Sequence, residues 1–155
     1  MSDSFSPQAA PAASVAAQPR KRPQPGERRE QILRALATLL ERPGAERITT
    51  AALASHLQVS EAALYRHFAS KAQMFEGLIA FIEDSLFTLA NQIQSRESDP
   101  AQQISRLLAL VLHFAQKNPG MCRVMVGDAL ILEHERLSVR INQVWDRLES
   151  LLRLS

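Results

Sequence analysis

The chain has 155 residues, 46% of them hydrophobic and 22% charged, with a formal net charge of +2 at neutral pH. That length suits one compact unit, and no apolar run approaches what is needed to span a bilayer. A single cysteine, Cys122, excludes an intrachain disulfide and fits a reducing cytoplasm, and the N-terminus lacks the basic-then-apolar order of a secretory signal.

Residues 1–26 are Ala, Pro, Ser and Gln with almost no large apolar side chains. Such a composition cannot bury enough surface to offset the entropy of ordering, which predicts a disordered tail. Its basic end, Arg20, Lys21 and Arg22, is suited to lie along phosphates, and Arg28 and Arg29 follow at the start of the first helix. That helix is expected over 27–41, with Ile32, Leu33, Leu36, Leu39 and Leu40 on one face. Arg42, Pro43 and Gly44 end it.

The stretch from Ile48 to Lys71 reads as a helix-turn-helix. Leu53, Ala54 and Leu57 make one short apolar stripe, and Ala63, Leu64 and Phe68 make another. Gln58, Val59 and Ser60 leave room only for a tight turn. Ser60 suits an N-cap, with Glu61 favourable to the positive end of the dipole, and Thr49 or Thr50 can cap the first helix. Outside the second stripe lie Ser60, Glu61, Ala62, Tyr65, Arg66 and His67. Small, hydroxyl, aromatic and basic side chains in that pattern equip a helix to enter a major groove.

Everything downstream reads as helix, so the fold class is all-α. Ser70 with Gln73 resembles a capping box. It opens a long helix to about Ser95 that carries Met74, Phe75, Leu78, Ile79, Ile82, Leu86, Leu89 and Ile93. Ser98, Asp99 and Pro100 restart the chain into a helix with Ile104, Leu107, Leu108, Val111, Leu112 and Ala115. Asn118, Pro119 and Gly120 are expected to stop it. A short segment around 122–129 follows, then a last helix with Leu137, Ile141, Val144, Leu148 and Leu151, spaced four, three, four and three apart, a seam for another helix.

Charge is distributed unevenly. Ten Lys/Arg face six Asp/Glu through Lys71, whereas eight face ten from Ala72 onward, so the cationic surplus sits with the helix-turn-helix. Enzyme chemistry finds little support. The histidines at 56, 67, 113 and 134 are dispersed, Cys122 has no neighbouring ligand or base, and no glycine-rich phosphate loop exists among five glycines. No cofactor or metal is expected.

Ile48, Thr49 and Thr50 followed by Leu53 and Ala54, then Val59 and Ser60, then 63–68, and Ser70 with Lys71, resemble the DNA-binding head of the TetR family. Beyond the head, RITTAALA, VSEAALYRHFASK, FIEDSLFTL, KNPGMCRV and RINQVWDRLE resemble its nucleoid-occlusion branch. The resemblance implies a three-helix head over 27–70 and an antiparallel helical body over 71–155 for dimerisation and partner binding. It implies a cytoplasmic, nucleoid-associated homodimer that binds a palindromic double-stranded site and, when DNA-bound, antagonises FtsZ polymers. The alternative is a TetR-type transcriptional repressor released by a small molecule.

Carried over from the family pattern, Thr49, Ser60, Ala62, Tyr65, Arg66, His67 and Lys71 would face DNA, with Arg47, Arg28 and Arg29 as further phosphate ligands. Phe81, Leu110, Lys117 and Asn118 would line a groove for the FtsZ C-terminal tail. Two departures stand out: Gln58 occupies the turn position usually held by glycine, and family chains continue through further C-terminal helices that build the dimer interface.

Overall fold

The computed structural model describes residues 25–42 and 47–155. The tail with its Arg20, Lys21 and Arg22 arm, and the Pro43 and Gly44 stop, lie outside the described residues. Seven α-helices follow in order: α1 (Pro25–Leu40), α2 (Thr50–Leu57), α3 (Glu61–Tyr65), α4 (Lys71–Arg96), α5 (Pro100–Lys117), α6 (Pro119–Met125) and α7 (Arg136–Arg153). A 3-10 turn, Asp128–Leu130, links α6 to α7, and the described residues contain no strand.

Local chemistry sets most boundaries. Thr49, Ser60, Ser70 and Asp99 each precede a helix, and each side-chain oxygen accepts a backbone N–H of the first turn, from Ala52, Ala63, Gln73 and Gln102 respectively. The Ser70 cap is reciprocated one residue early: Gln73 Oε1 accepts from the N–H of Ala69 rather than from that of Ser70. Pro100 and Pro119 sit in the first turns of α5 and α6, where a missing N–H costs nothing. Pro25 likewise opens α1 two residues before the expected start, so Pro25 and Gly26 belong to the helix rather than to the tail. The turn between α2 and α3 places Gln58 at φ 57° and ψ 43°, the left-handed region, with its N–H bonded back to the end of α2. It is the one non-glycine residue with positive φ among the described residues.

The core runs through both halves. Ile32, Leu36, Leu40, Leu53, Leu64 and Phe68 of the head merge with Phe75, Leu78, Ile82 and Leu86 of α4, and then with Val124, Leu137, Ile141 and Val144. Leu64 and Phe68 are fully buried, as their positions on the stripe require.

Two expectations are corrected. The α5 helix stops at Lys117 as expected, but the short helix after it starts at Pro119 and ends at Met125 rather than running over 122–129; it packs across α1, with Gly120 buried against that helix. The apolar face of α5 is wider than what covers it. Leu107 is buried, whereas Ile104, Leu108 and Leu112, together with Leu89 of α4, are exposed. Periodicity marks a face as apolar without fixing what lies against it.

Candidate nucleic-acid interface

The short helix α3 presents the head's exposed surface. Leu64 and Phe68 anchor it to the core, which leaves Glu61, Ala62, Tyr65 and Arg66 outward, with Tyr65 47% exposed. Ser60 and Thr49 lie at the two helix starts and are also exposed, as is Arg47 in the approach to α2. Their caps do not exhaust these hydroxyls, since each accepts one backbone N–H and keeps its own O–H free to donate. Thr49, Ser60, Ala62, Tyr65 and Arg66 are therefore all exposed along the helix-turn-helix. Exposed hydroxyl, methyl, phenol and guanidinium groups there supply the donors and apolar contacts that phosphates and base edges take.

The other expected DNA ligands carry internal engagements. Arg29 donates to the carbonyl of His67 at 3.2 Å, and its guanidinium stacks 4.3 Å from the Phe68 ring centroid. Those contacts fix the start of α1 against the end of the recognition segment, and His67 is half-buried there. Arg28 reaches Gln31 on its own helix at 3.4 Å, a long contact. Lys71 is the most committed: its Nζ lies 2.6 Å from Glu133 Oε1, with only 7% of the Glu133 side chain exposed, and 5.9 Å from the Phe75 ring. A phosphate at the start of α4 would have to take the Lys71 ammonium from Glu133. Nothing in the sequence pointed to Glu133, 62 residues away.

The four body residues expected to line one groove are not brought together. Phe81 is half-buried and faces Leu33 and Arg34 of α1 and Met121 of α6 in a narrow crevice. Leu110 lines a groove of about 230 Å³ between α4 and α5, with Leu89, Ile93, Arg96 and Arg106. Lys117 is exposed at the end of α5, and the Asn118 side chain caps that helix by donating to the Phe114 carbonyl at 2.9 Å. A larger apolar cleft, about 560 Å³, opens between α5 and α7 over Leu107, Val111, Trp145 and Leu148.

Ion pairs tie α4 to α7. Glu76 meets Arg136 at 2.7 Å, and Glu83 meets both Arg140 at 2.6 Å and Arg147 at 2.8 Å. Arg147 also covers the Phe87 ring at 3.8 Å. Burial raises the Glu83 pKa, but the two guanidinium groups outweigh it and hold the carboxyl below its usual 4.5. Among the described residues no group of three or more His, Cys, Asp or Glu side chains could hold a metal, and no helix is long and apolar enough to cross a membrane.

A family model described as bacterial regulatory proteins, tetR family, matches residues 32–78, and an SlmA-like model, tetracyclin repressor-like, C-terminal domain, matches 99–155. Both matched segments are TetR-family domains. It is 60% identical over 127 residues to the nucleoid occlusion factor SlmA of Marinomonas sp. (strain MWYL1), covering 82% of this chain and 64% of that protein. Against SlmA of Aliivibrio fischeri (strain MJ11) the identity is 56% over 128 residues, covering 82% and 65%. The chain thus spans just under two thirds of the length of these TetR-family relatives. The crystal structure of a TetR-family transcriptional regulator from Bordetella parapertussis 12822 has the same fold, with a TM-score of 0.66 at 19% identity, covering 81% of this chain and 65% of that one.

Proposed function

We propose that the chain is a nucleoid occlusion factor: a sequence-specific DNA-binding protein which, on its sites, antagonises FtsZ polymers and keeps the septum off the chromosome. The observation that carries this reading is identity to SlmA proteins extending past the head into the body, where a generic TetR head would leave no such likeness. In this reading residues 27–70 read DNA. Tyr65 and Arg66 bind phosphate or base edges, Ala62 meets a thymine methyl, and Thr49 and Ser60 donate to phosphate. Residues 71–155 dimerise, so that two heads match a palindrome. The α4–α5 side of the body receives the FtsZ C-terminal tail, with Leu110 in the groove, Lys117 and Asn118 at the end of α5, and Phe81 in the crevice beside α1 and α6. An apolar groove edged by Arg96 and Arg106 suits a short peptide that carries apolar and acidic groups. No step calls for catalysis or a cofactor.

The α5–α7 cleft favours a second reading, a repressor released by a small apolar ligand. One experiment separates them: anisotropy of a labelled FtsZ C-terminal peptide with and without operator DNA. The occlusion reading expects DNA-stimulated binding, lost in Phe81→Ala and Lys117→Glu with DNA affinity kept. A parent that ignores the peptide yet releases DNA on adding a small apolar metabolite establishes the repressor instead.

A further inference from the structure

Between Arg47 and Lys71 the chain carries one acidic residue, Glu61, and it stands in the first turn of the recognition helix. It is exposed, beside Ser60 and Ala62 on the surface described above. A carboxylate there opposes docking on any polyanion, because it meets the duplex's negative field and has to shed water on contact. A carboxylate of no consequence would be free to swing away. This one is held: Thr50 Oγ1, at the start of α2, donates to Glu61 Oε1 at 2.8 Å across the turn, eleven residues along the chain. The bond leaves Oε2 free to accept.

We propose that Glu61 is a specificity-determining residue that reads a cytosine in the major groove, with Thr50 as the positioning residue that aims its carboxylate. The inference rests on the DNA-reading role proposed above. The chemistry follows from what base edges offer: cytosine presents its N4 amino group as a donor, and adenine sets its N6 donor beside an N7 acceptor that repels a carboxylate, whereas guanine presents O6 and N7 and thymine presents O4, all acceptors. N-terminal residues of a recognition helix are the ones that reach base edges. At the matching position Glu61 gains a charge-assisted hydrogen bond, and where the base offers no amino donor its charge stands against the DNA. Part of its effect is therefore exclusion of wrong sites. The Thr50 bond keeps the side chain from escaping that penalty by rotating outward.

The test uses the intact chain and its Glu61→Gln, Thr50→Val and Thr50→Ser variants, each checked for parental helicity. All are selected on a pool of random duplexes, then titrated against the selected site with each of the four base pairs substituted in turn. The parent should prefer cytosine at one symmetric pair of positions by about 5- to 150-fold. Glu61→Gln should lose most of that preference there while binding unrelated duplex more tightly, Thr50→Val should lose part of it, and Thr50→Ser should keep it. An unchanged base preference in Glu61→Gln, with or without a lower melting temperature, overturns the proposal and leaves a structural tie between α2 and α3. A parent that selects no sequence at all removes the DNA-reading role and this inference together.

Discussion

Replacing Gly120 by alanine would drive a methyl group into the backbone of α1. A Cβ built on Gly120 lies 2.0 Å from the Ala37 carbonyl oxygen and 2.9 Å from its carbonyl carbon, with Glu41 Cγ at 3.2 Å. The first two are backbone atoms, so no rotamer change relieves the clash. Carbon and oxygen settle at about 3.3 Å in close backbone contacts, so α6 has to retreat by roughly 1.3 Å. That retreat loosens Met121, Val124 and Met125, all buried, and strains the bond from Arg123 Nη1 to the Leu40 carbonyl at 2.8 Å. A gap of 0.5–1 Å already forfeits about a quarter to a half of the dispersion energy across it. Overpacking ordinarily costs about 1–3 kcal/mol, and a backbone clash belongs at or above the top of that range, so we expect about 3–4 kcal/mol. For a chain of this size that is a fall in Tm of roughly 10 °C, read by circular dichroism at 222 nm. Gly26→Ala is the control, because a Cβ there meets nothing within 4 Å. A Gly120→Ala protein melting within 2 °C of the parent would refute the close-approach reasoning.

Gln58→Gly relieves a left-handed residue of about 1–2 kcal/mol and pays back roughly half in unfolded-state entropy, so chemical denaturation should report a net gain of about 0.5–1 kcal/mol. A loss of stability would mean that the Gln58 side chain makes a compensating contact. The Glu83 carboxyl is held below 4.5, so the native state binds that proton less readily than the unfolded chain. Its stabilisation is complete above pH 4.5 and disappears as pH falls through the depressed native value. Acid unfolding of Glu83→Gln should accordingly show a shallower pH dependence below 4.5 than that of the parent. Glu133→Gln leaves Lys71 a neutral acceptor and a freer ammonium, and the log–log salt slope of DNA binding should steepen by up to about 0.9. An identical slope would place Lys71 off the phosphate path.

The features legible in the sequence are those decided within a few residues. Ser60, Ser70 and Asp99 announce their helices because a cap is a local hydrogen bond, and the four-three spacing from Leu137 to Leu148 announces a buried seam because the helix period is fixed. Exposure of Thr49, Ser60 and Tyr65 follows from the same periodicity. Partners chosen by the tertiary fold leave no such mark. Pro119 and Gly120 mark the end of α5, but the need for glycine at 120 is visible only once α1 is known to lie against it. Nothing local links Lys71 with Glu133, Thr50 with Glu61, or Arg29 with the His67 carbonyl. Leu108 and Leu112 sit at core spacing yet stay exposed on the open α5–α7 cleft.

The length of α4 has an electrostatic consequence. Its 26 residues extend roughly 39 Å, from Lys71 beside the recognition surface to Arg96 at the mouth of the α4–α5 groove. Pairs with Arg136, Arg140 and Arg147 brace it along the way, so it acts as a stiff spacer between the two ends. Ionic screening at physiological salt acts over about 8 Å, several times less than that spacing. A charge at one end is therefore invisible to a charge at the other. In the reading proposed above, an acidic group seated at the Arg96 end would not feel a duplex bound at the Lys71 end.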